Sequence, residues 1–180
     1  MALQTKTITA NGSKGHHKFT LEVTENSIST SDNTSSLSFA FKISSLGGGY
    51  DWYGWSSSIS YTVNINGSKY TGTIPDYDGS STVTLKSGSL SVEHNSDGSK
   101  SISVSFSVTD GAGQYYTCGN ASASGSMTLN TIARASTIIC SGGNIGRPTT
   151  IKINKADFSF TETLTYEFGS LAGTIKSNVT

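Results

Sequence analysis

Residues 59–74 read ISYTVNINGSKYTGTI, and this stretch decides the fold. Apolar and polar residues alternate from Ile59 to Ile65, which places the apolar side chains on one face of a β-strand. Asn66-Gly67 follows, the dipeptide that most favours a two-residue hairpin turn. A second strand is predicted from Lys69 to Ile74. The stretch therefore predicts an antiparallel hairpin with one dry face and one wet face.

The same alternation recurs on both sides of this hairpin. Turns are predicted at Asp78-Gly79, at Ser87-Gly88 and in the hairpin loop Asn95–Ser99. A strand with one dry face needs a second sheet to cover it. The pattern predicts an all-β fold, an antiparallel β-sandwich that is jelly-roll-like or immunoglobulin-like, because periodicity does not fix strand order. The other alternating runs are Phe19–Thr24, Leu37–Ile43, Leu90–Glu93 and Ile102–Val108.

The composition excludes several classes of protein. The 180 residues include 33 serines and 24 threonines, and 12 basic residues balance 12 acidic ones. Without a basic excess, no nucleic-acid partner is expected. The apolar runs fall short of the about 18 residues that a membrane-spanning helix needs, so no membrane insertion is expected either.

The rhythm of the sequence changes near residues 130–136. We predict a β-sandwich domain at residues 1–133 and a partial second β module at residues 134–180. Short strand-like runs at 137–140, 151–153 and 164–168 support the second module. About 45 residues are too few for an independent sandwich. Either the chain is a truncated piece, which we favour, or these strands pair with another chain.

The densest group of aromatic residues follows three glycines at 47–49. This candidate ligand-binding loop comprises Tyr50, Asp51, Trp52, Tyr53 and Trp55, and it holds both tryptophans of the chain. One hypothesis is that its rings stack on the faces of sugars while Asp51 accepts hydrogen bonds from sugar hydroxyls. The other hypothesis is that the rings pack over an open edge of the sandwich.

No metal site or cofactor is predicted. The turn at 76–80 resembles the start of a calcium loop, but Ser81 and Ser87 stand where that loop needs glycine and glutamate. His16 and His17 are adjacent, so on a strand they point to opposite faces and cannot easily share one metal. Surface positions are expected for them and for His94.

The two cysteines, Cys118 and Cys140, fit no zinc-binding spacing. They lie on opposite sides of the predicted boundary, so a disulfide would have to join two modules. We predict separate thiols, as in a protein assembled in a reducing cytoplasm.

No enzyme is expected. The chain has no Gly-x-Ser-x-Gly nucleophile elbow, and no helix or Gly-Lys-Ser follows the glycines at 47–49 to form a phosphate loop. A cell-wall hydrolase domain stays open as an alternative, because paired carboxylates can come from distant parts of a sequence.

Four segments carry a resemblance to a known family. They are Val92–Ile102, Leu129–Ile138, Ile151–Lys155 and Phe160–Gly169. The first resembles a recurrent hairpin of siphophage minor structural proteins, the second resembles the connector after it, and the last two resemble the opening of the next module. The phages concerned infect Gram-positive, streptococcal-type bacteria.

The resemblance implies a virion protein of the phage tail tip or fibre that contributes to host attachment and is assembled in the host cytoplasm. It implies other tail proteins as partners, a trimer or hexamer of the chain, and a host cell-surface polysaccharide as a candidate ligand. It supplies no catalytic residues. Two further alternatives are a free-standing carbohydrate-binding module that uses the aromatic loop and a bacterial surface adhesin.

Overall fold

The computed structural model describes residues 3–47, 50, 58–79 and 81–133, together with the backbone of four strands between 138 and 176. The chain divides into two compact units, Met1–Ile132 and Ala133–Thr180. The regular elements of the described residues are β-strands. Within the described ranges, the structure contains no helix that could span a membrane.

The first unit consists of two antiparallel sheets of four strands each, which confirms the predicted all-β sandwich. One sheet has the order β1-β2-β3-β6, and the other has the order β5-β4-β7-β8. The strands are β1 Thr5–Asn11, β2 His17–Ser29, β3 Thr34–Ser45, β4 Ile59–Ile65, β5 Ser68–Thr73, β6 Val83–Glu93, β7 Ser101–Asp110 and β8 Ala121–Thr128.

The pairing of strands fixes the topology that periodicity left open. β3 pairs with β6 in one sheet, and β4 pairs with β7 in the other. β3 and β4 are consecutive in the chain but lie in opposite sheets, and each pairs with the strand that comes three strands later. This is the interlocking that joins strands B to E and C to F in immunoglobulin-like sandwiches. The first unit therefore has the immunoglobulin-like topology, with one extra strand at its N-terminal edge.

The second unit contains two antiparallel strand pairs. Strand β9, Ile138–Cys140, pairs with β10, Ile151–Ile153. Strand β11, Thr163–Phe168, pairs with β12, Leu171–Lys176. The strand-like runs predicted in this region lie at β9, β10 and β11.

Aromatic rings hold the two sheets of the first unit together. Phe41 of β3 is fully buried, and its ring centroid lies 6.0 Å from that of Phe19 in the same sheet. Across the sandwich it lies 5.0 Å from Phe106 and 5.3 Å from Tyr61. Each such buried side chain contributes about 1.5–3 kcal/mol of apolar burial. The apolar residues of the alternating runs thus form one continuous core between the two sheets.

Two edge-strand glycines make room for these rings. Gly88 lies directly opposite Phe39, and a Cβ at Gly88 would lie 2.9 Å from Cε1 of that ring. Gly72 lies directly opposite Tyr61, and a Cβ there would overlap the Tyr61 hydroxyl. The predicted turn at Ser87-Gly88 was therefore wrong: these residues lie within β6, where glycine admits a cross-strand ring.

The connections of the first unit fall at two ends. Because the strands are antiparallel, the connections that follow β1, β3, β5 and β7 all begin at the same end of the unit, which we call the loop end. The opposite end, which we call the junction end, carries the connections at residues 30–33, 66–67 and 94–100. Among them is the predicted Asn66-Gly67 turn, whose φ angles of 49° and 86° match a type I′ turn. The unit also begins and ends there, where Gln4 Nε2 donates to Asn130 Oδ1 at 3.0 Å.

Gly72→Ala should destabilise the first unit by about 1–3 kcal/mol, because the added methyl group displaces Tyr61 from a well-packed core. The displaced ring also loses the hydrogen bond from the Tyr61 hydroxyl to the Leu85 carbonyl, 3.1 Å long. Urea unfolding of both proteins measures the difference. Thr71→Ala, an exposed position of the same strand, is the control and should change stability by less than about 0.5 kcal/mol. Equal stability of Gly72→Ala and the parent would contradict the packing described here.

Candidate functional site

The loop end brings together aromatic side chains from all four of its connections. His16 and Tyr50 stack with ring centroids 3.6 Å apart, and the Tyr115 ring meets them edge-on at 5.3 and 6.1 Å. His17 Nε2 donates to the Tyr50 carbonyl at 3.1 Å. The His17 ring lies 5.3 Å from that of Tyr77. We call these five residues the aromatic cluster.

The aromatic cluster runs from a buried side to an exposed side. Tyr77 is only 2% exposed, and its hydroxyl donates to the Ser81 carbonyl at 2.6 Å. Tyr115 is 70% exposed, and its neighbour Tyr116 is also exposed. Among the described residues of the unit, most aromatic rings are buried. An exposed tyrosine beside a buried one is typical of a recognition surface, because its ring supplies contact area and its hydroxyl can form hydrogen bonds.

The structure corrects the expected surface position of two histidines. His17 and His94 are both buried, whereas His16 is half-buried. Burial lowers the pKa of His17, and the neighbouring His16 lowers it further, against the opposing effect of the hydrogen bond to the Tyr50 carbonyl. His17 is therefore a neutral donor that fixes the backbone of Tyr50. Buried polar groups are tolerated where hydrogen bonds satisfy them.

Tyr50 is the one residue of the predicted ligand-binding loop that the structure describes. The hydrogen bond with the Tyr115 hydroxyl, followed by the charge of that group and by desolvation, raises the pKa of Tyr50. The hydroxyl of Tyr50 therefore stays protonated near neutral pH. Asp51, Trp52, Tyr53 and Trp55 lie outside the described residues, so their stacking on sugars stays a prediction.

Asp110 organises the connection that carries Tyr115. Its carboxylate accepts hydrogen bonds from the backbone amides of Ala112, Gly113 and Gly119 at 3.1, 3.2 and 2.8 Å. It also accepts from the Thr117 hydroxyl at 2.6 Å. Burial alone would raise the pKa of Asp110, but the hydrogen bonds from Thr117 and the amides, together with Lys14, lower it.

The first connection is locked onto the same loop. Lys14 Nζ lies 3.8 Å from Asp110 Oδ2 and also donates to the Gln114 carbonyl. The backbone amide of Ser13 donates to the Asn120 carbonyl at 2.9 Å. Gly12 packs so closely that a Cβ would overlap the carbonyl oxygen of Cys118. Tyr115 is therefore presented by a preorganised loop, which lowers the entropy lost on binding.

Sequence reasoning missed Tyr115 and Tyr116 as site residues. A signal for them existed, since two adjacent tyrosines follow Asp110 and Gly113 in a stretch with turn chemistry. Their proximity to Tyr50 depends on a contact between distant parts of the chain.

A second polar group lies at the junction end. Ser35 Oγ donates to Glu25 Oε1 at 2.8 Å and lies 2.8 Å from His94 Nε2, while His94 Nδ1 donates to the Gly98 carbonyl at 2.8 Å. Glu25 Oε2 accepts from Asn130 Nδ2 at 2.9 Å. Ser35 and Glu25 are fully buried. A substrate has no access to Ser35 in this arrangement, so this Ser–His contact ties strands together.

Asp110→Asn should destabilise the first unit by about 1–3 kcal/mol at pH 7, because it weakens several part-buried hydrogen bonds at once. The folded pKa of Asp110 is lowered, so its stabilising contribution is complete above the unfolded value of about 4 and is lost as the pH falls towards the folded value. The difference between parent and variant in urea unfolding should therefore shrink at pH 3. A difference that grows on acidification would contradict the assignment.

Cys118 should be unreactive in the folded protein. It is a free, fully buried thiol, and burial, followed by the charge of Asp110, raises its pKa to about 12. At pH 8 only about one thiol in ten thousand would then be ionised. In a Cys140→Ser background, a thiol-specific chromogenic reagent should react only after urea is added. Rapid reaction of the native variant would show that the site opens.

The comparisons with known proteins place the chain in a family. Residues 7–180 match the family model described as siphovirus protein of unknown function (DUF859). No curated protein and no solved structure matches the chain. Since the match covers all but the first six residues, the chain belongs to this family of siphovirus proteins.

Proposed function

We propose that this chain is a virion structural protein of the siphophage tail, at the tail tip or fibre, and that its loop end contributes to host attachment. Membership in a siphovirus family supports a phage component. The observation that carries the attachment role is the aromatic cluster, which ends in an exposed Tyr115. It lies opposite the junction end, where the first unit begins and ends. Other tail proteins and further copies of the chain are the partners we propose.

The position of the cluster within the fold supports recognition by analogy alone. Connections β3–β4 and β7–β8, which carry Tyr50 and Tyr115, correspond to the B–C and F–G loops of an immunoglobulin-like sandwich. Variable domains use those loops to bind antigens. Fold does not imply function, so the argument rests on the exposed ring and on its rigid support.

The charges at the loop end favour a neutral polysaccharide of the host cell surface as the ligand. Asp76 and Asp78 are exposed there, and Asp51 belongs to the same connection as Tyr50. The ammonium group of Lys14 is engaged with Asp110 and Gln114. These carboxylates would repel a polyanion such as a teichoic acid. A neutral sugar can instead donate hydrogen bonds from its hydroxyls to the carboxylates and pack its C–H faces on the rings.

The same surface would serve the second candidate, a carbohydrate-binding module that acts by itself. The aromatic cluster supports both functions equally. They differ in whether the chain is built into the virion, which antibodies against the chain would reveal by labelling purified particles in electron microscopy.

Tyr115→Ala should weaken binding to purified neutral cell-wall polysaccharide about tenfold, since an aromatic contact of this kind is worth about 1.4 kcal/mol. Tryptophan fluorescence during titration reports on the loop that holds both tryptophans. Trp52→Ala and Trp55→Ala should weaken binding in the same assay.

Leu3→Ala is the control, because Leu3 is also an exposed large apolar side chain, 46% exposed, and it precedes β1 at the junction end. It should bind like the parent. Teichoic acid is the anionic comparison and should bind more weakly. Unchanged binding by all three aromatic variants, with their folding intact, would remove the loop end from the attachment role.

A further inference from the structure

Two adjacent histidines belong to the aromatic cluster. His17, the first residue of β2, is fully buried, and His16, just before it, is half-buried. Their ring centroids lie 6.3 Å apart. Histidine is the side chain whose ordinary titration falls between about pH 5 and 8. The candidate site therefore contains two rings whose charge can change close to neutral pH.

Both histidines hold the connection that carries Tyr50. His17 Nε2 donates to the Tyr50 carbonyl at 3.1 Å, and the ring of His16 stacks on the ring of Tyr50. The backbone amide of Leu46, at the start of the same connection, donates to the His16 carbonyl at 2.9 Å. A change of charge on this pair therefore acts directly on the position of Tyr50.

The surroundings of His17 favour a neutral ring. Burial has the largest effect and lowers the pKa of His17, the hydrogen bond to the Tyr50 carbonyl opposes this, and His16 adds to the lowering. The ring of Tyr77 lies 5.3 Å from that of His17, and burial raises the pKa of Tyr77, so its hydroxyl stays neutral. A protonated His17 would place a charge at a fully buried position beside a second histidine.

The ring of His16 also favours its neutral form. Its Nε2 is buried and has no hydrogen-bond partner among the described residues. An imidazolium carries a proton on both ring nitrogens, so one N–H would point into this unpartnered position. A buried donor without an acceptor costs free energy, which the neutral ring avoids by carrying its proton on Nδ1.

The other titratable groups at the loop end keep their charge in mildly acidic solution. Besides the tyrosines, those on the surrounding strands and connections are Lys14, Lys18, Asp51, Asp76, Asp78 and Asp110. Carboxyl groups ordinarily titrate near pH 4, and lysines and tyrosines near pH 10. The pKa of Asp110 is lowered, and its carboxylate is engaged by Lys14. Between pH 5.5 and 7.5, the two histidines are therefore the groups whose charge should change.

We propose that His16 and His17 form an acid-sensitive latch, which holds Tyr50 in the aromatic cluster while both rings are neutral and releases it below about pH 6.5. Because the folded pKa of His17 is lowered, the neutral latch contributes its full stability above the unfolded value of about 6.5. This contribution is lost as the pH falls towards the folded value. A ligand at the loop end is then bound near neutral pH and released on mild acidification. The effect on binding rests on the proposed attachment role, whereas the opening of the cluster does not.

Hydrogen exchange of the ligand-free chain tests the opening by itself. The amide of Leu46, which donates to the His16 carbonyl, reports on the latch. Its protection factor, corrected for the intrinsic effect of pH on exchange, should fall by up to about tenfold between pH 7.5 and 5.5, the limit for one proton with an unfolded pKa of about 6.5. The amide of Asn66, which donates to the Ser103 carbonyl at the junction end, should keep its protection. Equal protection of Leu46 at both pH values would overturn the proposal.

His17→Gln separates the charge from the hydrogen bond. The glutamine amide can donate to the Tyr50 carbonyl in place of Nε2 but takes up no proton. The fall in protection of Leu46 should therefore be smaller than in the parent, and His16→Gln/His17→Gln should show none. His94→Gln, the same change at the buried histidine of the junction end, should leave the fall as large as in the parent. If the double variant loses as much protection as the parent, another group opens the cluster.

Nuclear magnetic resonance of the His17 ring in the parent gives a second measurement that needs no variant. The ring should titrate below the ordinary histidine value of about 6.5, and its contacts with Tyr50 should disappear over the same pH range. Titration at or above that value would contradict the latch, even where a variant fails to fold.

Binding of purified neutral cell-wall polysaccharide at pH 7.5 and 5.5 tests the consequence for the ligand. The parent should bind more weakly at pH 5.5, and the double variant should bind with the same affinity at both pH values. If the parent binds at neither pH but still loses protection of Leu46, the attachment role fails and the latch stands. Loss of protection with unchanged binding would show that Tyr50 does not control the ligand, which overturns the proposed release.

Discussion

Contact between aromatic rings across the two sheets is the constraint on which the first unit depends. Phe41 from one sheet and Phe106 from the other meet with their centroids 5.0 Å apart. They can do so only if β3 and β7 keep their apolar residues in phase on the inner faces. Glycines at 72 and 88 release the edge strands from this crowding. The described residues of the loop end are held by strands that cannot slip without unpacking these rings.

The strands themselves could be predicted from period-two alternation, and the hairpin at Asn66-Gly67 from its turn chemistry. Strand order could not, because it depends on which distant strands meet. The extent of β6 was missed for the same reason. A glycine after a serine is typical of a turn, and only the ring of Phe39, nearly fifty residues earlier, gives it a place within a strand. β1 offered too little signal, since Ile8 is its one buried apolar residue.

The candidate site was less predictable than the fold. Tyr50 was among the candidates predicted from the concentration of aromatic residues around it. The burial of His17 and Glu25 was not predicted, because a polar side chain in a strand is expected to face solvent unless its hydrogen-bond partners are known. The sequence likewise gives no sign of the role of Asp110. Its carboxylate binds four groups of one loop and the ammonium group of Lys14. These roles arise from long-range hydrogen bonds, which composition and spacing do not encode.

An even number of strands has a consequence for how such a unit can be used. Eight antiparallel strands return the chain to the end where it started, and a hydrogen bond from Gln4 to Asn130 joins the two ends. A domain with adjoining termini can be inserted into a host loop, or circularly permuted, with little change in the path of either chain. The first unit can therefore be joined to other segments of a protein through two neighbouring ends.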